Sequence, residues 1–218
     1  MAPIALCSRA IALDYRVGWW GFYLVPVTFD ENYFDRYYFN ETTRIADTIY
    51  FEQLARFIGA YVTLLDCRVD CILDVGCGPG LMHTGLRRAF PNADIHAFDV
   101  SEYVCRKFGW QCSSIEDYDV KQSYDLVVCH DVLQYLDGPN ALRALSNLEK
   151  LAKAALFFSV LTREDWEQNC DQILTDGNTY RRSASWYRTE LSRAFKNAGG
   201  GLYIKRDSGV VLYSLEHC

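Results

Sequence analysis

The sequence predicts an α/β protein built on a mostly parallel, seven-stranded sheet, with helices on both faces and a C-terminal antiparallel hairpin. Three observations carry that expectation. The apolar run Cys71-Ile72-Leu73-Asp74-Val75 breaks into Gly76-Cys77-Gly78-Pro79-Gly80 and then into a helix-compatible segment, as a buried parallel strand feeding a tight turn does. Tyr124 to Cys129 is an unbroken run suited to a central parallel strand. Two final runs, Leu202 to Arg206 and Val210 to Leu215, are separated only by Asp207-Ser208-Gly209, a turn short enough to force antiparallel pairing.

Each element follows from its own stretch of chain. Residues 1–28 carry Trp19, Trp20, Phe22 and Tyr23 between polar ends and fit a flexible arm, a lid or an oligomer contact. Phe29 to Tyr38 is a dense aromatic and acidic patch, and Asn40-Glu41-Thr42-Thr43 offers cap chemistry for a helix from Arg44 to Leu65. There Ile45, Ile49, Leu54, Phe57, Ile58, Tyr61 and Leu65 recur at helical spacing, so the helix packs on the sheet and leads into the first strand. Residues 1–43 accordingly read as an arm or cap, and 44–218 as one domain.

After the glycine turn a helix runs from Leu81 to Phe90, and Pro91-Asn92-Ala93 breaks it. Asp94 to Asp99 is the second strand, Ser101 caps a helix from Glu102 to Phe108, and Trp110 to Cys112 is a short third strand. Beyond the fourth strand, Gly138-Pro139 punctuates, and Asn140 to Ala152 is an amphipathic helix with Leu142, Leu145, Leu148 and Leu151 in step. Ala155 to Leu161 is the fifth strand. Thr162 to Arg182 is polar with little periodicity, and loops of that length are usually functional or mobile. Ser185 to Asn197 reads as a helix stopped by Gly199-Gly200-Gly201.

Composition narrows the function. A length of 218 residues allows one domain with elaborations, and 50% hydrophobic and 15% aromatic residues suffice for one sizeable core. No apolar run reaches the roughly 18–20 residues needed to span a bilayer. Arg9 and Asp14 interrupt the mildly apolar stretch at the N-terminus, which is not read as a signal peptide. Nine cysteines, an odd number without a C-x-x-C pair, argue against a disulfide scaffold or a zinc site and for reduced thiols in the cytoplasm. No metal is expected. The net charge of −6 argues against a nucleic-acid partner, although seven Lys and Arg stand against three Asp and Glu from Tyr180 onward.

Glycines alternating at a strand's carboxyl end place a ligand against main chain, where open α/β sheets bind ligands. A nicotinamide or flavin nucleotide would call for G-x-G-x-x-G. The third glycine of that pattern falls on Leu81 when counted from Gly76, and on His83 when counted from Gly78, so neither register fits. The pattern present is D-x-G-x-G-x-G, from Asp74 to Gly80. Asp99, at the second strand's end, is an acceptor-only carboxylate suited to both ribose hydroxyls of an adenosine.

These motifs resemble those of the class I S-adenosylmethionine-dependent methyltransferases, whose Rossmann-like fold the predicted element order also matches. Ile72 to Gly80 is similar to the first motif of that family. The resemblance implies S-adenosylmethionine as cofactor and S-adenosylhomocysteine as product. It places Asp74, Gly76, Cys77, Gly78 and Gly80 around the cofactor, Asp99 on its ribose and Val100 against its adenine. Ser113-Ser114-Ile115-Glu116-Asp117 resembles the segment around the adenine amino group. The family often has Asp there, whereas this chain offers Ser114 and the main-chain N–H of Ile115. Tyr124 to Leu136 is similar to the fourth-strand motif of small-molecule methyltransferases related to ubiquinone and menaquinone methylation, which puts Cys129 and His130 beside the methionine portion. The usual Pro-Gly-Gly before the fifth strand is replaced by Ala152-Lys153-Ala154.

The Asn/Asp-Pro-Pro-Tyr motif of amino-group methylation and the Pro-Cys nucleophile of cytosine methylation are both absent, which leaves a small-molecule acceptor as the default. Methylation of protein or RNA is the alternative enzyme reading, supported by the basic C-terminal region. A non-catalytic partner subunit is a third reading, against which the intact Asp74, Gly76, Gly78, Gly80 and Asp99 argue. His130 is the candidate general base, since neutral imidazole is available near pH 7. Asp131 fits a substrate contact or a helix cap. His83 reads as a packing or surface residue, and His96 and His217 are given no role. Tyr33, Tyr37 and Tyr38 fit either a cover over the cofactor or simple packing, and Trp166, Trp186 and Tyr187 fit either a pocket wall or core.

Overall fold

The structure, a computed structural model, describes residues 27–213. Strands β1 (Cys71–Val75), β2 (Asp94–Asp99), β3 (Gln111–Cys112), β4 (Tyr124–His130), β5 (Ala152–Ser159), β6 (Phe195–Gly199) and β7 (Leu202–Lys205) form one sheet. Their order is β3-β2-β1-β4-β5-β7-β6. From β3 through β5 all neighbours run parallel, and β7 is antiparallel to both β5 and β6. The expected Rossmann-like architecture is therefore present.

Helices cover both faces because alternate residues of the parallel strands are apolar on both sides. Ile72, Leu126, Val128 and Phe157 pack with Phe51, Ala55, Ile58 and Val62 of α2 (Thr48–Leu64). On the other face Leu73, Val127, Leu156 and Phe158 pack with Ala144 and Leu148 of α5 (Gly138–Leu151) and with Tyr187 and Leu191 of α7 (Ala184–Leu191). The remaining helices are short: α1 (Glu31–Phe34), running into a π turn over Asp35–Phe39, α3 (His83–Ala89), α4 (Glu102–Phe108) and α6 (Arg163–Gln168). Side chains of Asp30, Asp47, Ser101, Asp137, Thr162 and Ser183 accept main-chain N–H bonds at the starts of their helices. α3 follows the glycine turn without such a cap.

Several boundaries differ from the expectation, and one element is displaced. The C-terminal hairpin exists, but its strands are Phe195–Gly199 and Leu202–Lys205. Gly199, Gly200 and Gly201 take φ of +85°, +58° and +82°, so the run read as a helix stop is the hairpin's own turn. α7 ends at Leu191, and Phe195 and Ala198 point inward from a strand instead of continuing a helix. Ser208 closes a turn on the Lys205 carbonyl, and Val210 to Tyr213 pair with no strand among the described residues; positions 214 and 215 of that predicted strand lie outside them.

α2 starts at Thr48 because Asp47, not the 40–43 segment, caps it; the Asn40 side chain is engaged by Thr42. The loop from Thr162 carries the short α6. Trp19, Trp20, Phe22, Tyr23 and His217 lie outside the described residues.

Candidate functional site

Strand order turns back between β1 and β4, and in such sheets a crevice opens at the carboxyl ends of the diverging strands. β1 brings Asp74 to that edge, β2 brings Asp99 and β4 brings His130. The glycine turn fills the space between them. Gly76, Gly78 and Gly80 have φ of +64°, +51° and +74°. At Gly76 a Cβ would sit 2.5 Å from Val132 Cγ2, so that position excludes any side chain twice over.

The turn is sewn to β2. Gly76 and Cys77 N–H both donate to the Phe98 carbonyl, at 2.9 and 3.2 Å. Gly78 N–H donates to Asp99 Oδ2 at 2.9 Å, and Ser101 N–H donates to Oδ1 at 2.8 Å. Asp99 has no exposed surface, and burial pushes its carboxyl up to about 6, against the pull of the Ser101 and Gly78 N–H groups. Two residues given no functional role by sequence reasoning clamp the turn from outside. His83 Nε2 lies 3.0 Å from Asp74 Oδ2, with both side chains buried. Trp110 Nε1 donates to the Gly78 carbonyl at 2.9 Å and meets the His83 ring edge-on. The signal for His83 was its place three residues past Gly80, one turn along, where a helix folding back from the turn can aim a side chain at β1.

On β4, His130 Nδ1 lies 3.2 Å from Asp131 Oδ2. Asp131 is fully buried, and its other oxygen accepts from Ser159 Oγ at 3.1 Å. The helix cap considered for Asp131 is supplied to α5 by Asp137. His130 stacks on Phe157 and borders one cavity with Tyr38, Phe51, Asp74, Gly76, Cys77, Pro79, Leu81 and Met82. Burial pushes the Cys77 and Cys129 thiols up. Cys129 itself packs in the core of the α5 face.

Val100 and Ser114 are buried near the strand ends, and Ile115 is a core residue whose carbonyl accepts from Asn147. The sequence thus brings Asp74, Gly76, Cys77 and His130 around one cavity, with Gly78 and Asp99 joined beside it.

The aromatic segment from Phe29 lies over this edge. The Phe29 carbonyl accepts from Ser101 Oγ at 2.6 Å, and Glu31 accepts from Tyr103. The Tyr33 and Tyr135 hydroxyls lie 3.4 Å apart, and Tyr135 donates to Asp176 at 3.0 Å. Tyr38 is buried against the crevice, its hydroxyl pushed well up by burial and then by the acids Tyr33, Asp99, Asp131 and Cys77. The cavity beneath it is only about 20 Å³, room for about one water molecule. Of the remaining aromatic candidates, Tyr187 is core, while Trp166 and Trp186 lie under the guanidinium groups of Arg181 and Arg182.

A family model described as "Methyltransferase domain" matches residues 45–200. The chain belongs to this methyltransferase family. Two curated relatives of the methyltransferase domain are a malonyl-[acyl-carrier protein] O-methyltransferase from Anoxybacillus flavithermus and a ubiquinone biosynthesis O-methyltransferase from Xanthomonas oryzae pv. oryzae. The first is 28% identical over 40% of this chain and 38% of its own length. The second is 33% identical over 49% of this chain and 48% of its own length.

The chain therefore spans less than half the length of these curated relatives. Among solved structures, a plantazolicin methyltransferase in complex with S-adenosylhomocysteine superposes with a TM-score of 0.54 at 22% identity, over 74% of this chain and 66% of that one. DesVI of Streptomyces venezuelae gives 0.54 at 12% identity, over 71% and 91%. These likenesses agree with the class I fold of the methyltransferase domain. All seven cysteines among its described residues are free thiols, and no described helix is long and apolar enough to cross a membrane.

Proposed function

We propose that the domain transfers a methyl group from S-adenosylmethionine to a small-molecule acceptor, with residues 44–218 as the catalytic domain and the segment before them as its cap. The observation that carries this reading is the lock between Asp99 and Gly78: the acid at the end of β2 is hydrogen-bonded to the glycine turn after β1. The donor chemistry fits the cofactor. Asp99 keeps lone pairs for two ribose hydroxyls beyond the two N–H bonds it already accepts. The main chain of Gly76, Gly78 and Gly80 offers close approach without side chains. Val100, Ser114 and the Ile115 N–H serve the adenine, while Asp74, Cys77, Cys129 and His130 serve the methionine end. Cys129 does so through its main chain, since its thiol is in the core.

When bound, the cofactor supplies a methyl group on a positively charged sulfur. The protein's share is then alignment, exclusion of water and, for acceptors that must lose a proton, a base. His130 is that base. Space is the second half of the fit: ligand pockets run to about 300–1,000 Å³, far above the cavity under Tyr38. The segment from Phe29 to Phe39 must therefore move outward to admit the cofactor. The free thiols support a reducing, cytoplasmic setting.

The test is methyl-tritiated S-adenosylmethionine incubated with the protein and fractionated cell extract. Label is expected in the small-molecule fraction. Label confined to protein or RNA overturns the acceptor class, and label in no fraction removes the support for an active enzyme.

A further inference from the structure

We propose that Cys105 and Cys112 are an oxidisable thiol pair: a hydroperoxide joins them in a disulfide between α4 and β3, and the joined form holds the cofactor more weakly. The bridge stands on the thiols' own geometry, and its effect on the cofactor rests on the methyltransferase reading above.

The chain brings the two together by reversing at the end of α4. Gly109 takes φ +78°, and the N–H groups of Gly109 and Trp110 both donate to the Cys105 carbonyl, at 2.9 and 3.1 Å. β3 then runs along β2, with Cys112 opposite Asp99. The Cys105 sulfur sits over that seam. It donates to the Asp99 carbonyl at 3.3 Å and reaches the carbonyl of Gln111, the residue before Cys112, at 3.5 Å. Cys112 Sγ donates to the Val100 carbonyl at 3.6 Å. Both sulfurs thus bond to consecutive carbonyls at one strand end, and the two side chains interact directly, by charge and by hydrogen bond.

The two thiols differ as an attacking and a resolving thiol must. Cys112 is exposed and open to a small oxidant, whereas Cys105 is buried. Burial, followed by the neighbouring Cys112 and Asp99, pushes Cys105 up to about 12, so Cys112 is the attacking thiol. Its thiolate attacks one oxygen of the hydroperoxide, the O–O bond breaks, and the departing oxygen takes up the Cys112 proton. Cys105 then attacks the sulfenic acid on Cys112. The S–S bond forms, the S–O bond breaks, and hydroxide leaves with the Cys105 proton as water. Each thiol gives up one electron, and the peroxide takes both. A thiol held as high as Cys105 is a poor leaving group, which slows attack on the finished bridge at Cys112.

The bridge acts beside the groups assigned to the ribose and adenine. Forming it takes both S–H donors off the Asp99 and Val100 carbonyls and draws the sulfurs to about 2.05 Å. The Asp99 carbonyl also accepts from Ser113 N–H at 2.8 Å, and its carboxylate is tied to Gly78 and Ser101. A pull on this end of β2 and β3 therefore shifts the ribose acid against the glycine turn.

Peptide mapping tests the bridge. The whole chain, reduced and then treated with hydrogen peroxide, is blocked with N-ethylmaleimide and digested with trypsin without reductant. Cleavage after Arg88, Arg106, Lys107 and Lys121 puts the two cysteines on separate peptides, 89–106 and 108–121. These are expected joined, two hydrogens lighter than their sum, and parted by dithiothreitol. Peptides that stay separate, or a bridge from either one to Cys77 or another thiol, overturn the proposal.

Titration with S-adenosylhomocysteine before and after peroxide reads the second half. Affinity is expected to fall severalfold in the bridged protein, to return with dithiothreitol, and to be unmoved by peroxide in Cys112→Ser, a change at an exposed site. Bridged protein that binds as tightly as reduced protein, or a Cys112→Ser variant that still loses affinity in peroxide, overturns the control of affinity. Reduced, folded protein that binds none fails the methyltransferase reading, while the peptide map still decides the bridge.

Discussion

Asp99 should make cofactor affinity depend on pH. Burial lifts its carboxyl to about 6, from an ordinary value of 3.8. Protonation turns one acceptor oxygen into a donor and removes the charge, so the neutral form serves the two ribose hydroxyls less well and affinity should fall as pH drops through that value. With one proton involved, going from about pH 7 to about pH 5 takes the ionised fraction from roughly nine-tenths to one-tenth, a loss of up to about tenfold. Asp99→Asn should weaken binding by about 1.5–3 kcal/mol at neutral pH, ten- to more than a hundred-fold, and abolish the pH dependence.

The same group has an opposite signature in folding. A carboxyl raised in the folded state binds its proton more tightly there, so its contribution favours folding at low pH and is lost as pH rises from about 4 to about 6. The shift corresponds to roughly 3 kcal/mol, an order-of-magnitude figure for so buried a group. Isothermal titration with S-adenosylhomocysteine across pH, alongside urea unfolding of the same proteins, reads both signatures. A wild-type affinity that is flat across this window, or a slope that persists in Asp99→Asn, would refute the reasoning.

Three further outcomes follow from the clamp and the cover. His83→Leu leaves the buried Asp74 carboxylate without its imidazole partner and should cost about 1–3 kcal/mol of stability in urea unfolding, with His83→Gln recovering part of it. An unchanged midpoint in His83→Leu would show that the pair does not hold the turn. Gly76→Ala meets both a left-handed backbone, about 1–2 kcal/mol, and Val132 at 2.5 Å; adding Val132→Ala should relieve the contact but not the backbone term. Tyr38→Ala should speed association of S-adenosylhomocysteine severalfold in stopped-flow fluorescence, and an unchanged rate would mean that the aromatic segment does not gate the crevice.

What the sequence made legible were the parts governed by local chemistry. The glycine turn could be read because alternating glycines after an apolar strand have few other uses, and Asp99 because it ends the next strand. Strands β1, β2 and β4 were visible as apolar runs within about a residue of their bounds. The hairpin was displaced because Gly199 to Gly201 serve equally as a helix stop or a turn, and only pairing with β5 selects the turn. His83 and Trp110 escaped notice because their partners, Asp74 and the Gly78 carbonyl, lie 9 and 32 residues away and meet them only after folding. The cover was an open alternative for the same reason: Tyr33 reaches Tyr135 across 102 residues. The Asp131–His130 pairing depends on a positive φ that adjacent residues in a sequence do not announce.

The central claim is that the crevice above β1, β2 and β4 holds S-adenosylmethionine. Calorimetric titration of the folded wild-type protein with S-adenosylhomocysteine at neutral pH tests it most directly. Binding at one site in the micromolar range, about −8 kcal/mol, is the expected result. A protein that unfolds cooperatively, and is therefore folded, yet releases no heat and shows no thermal stabilisation at millimolar ligand would contradict it.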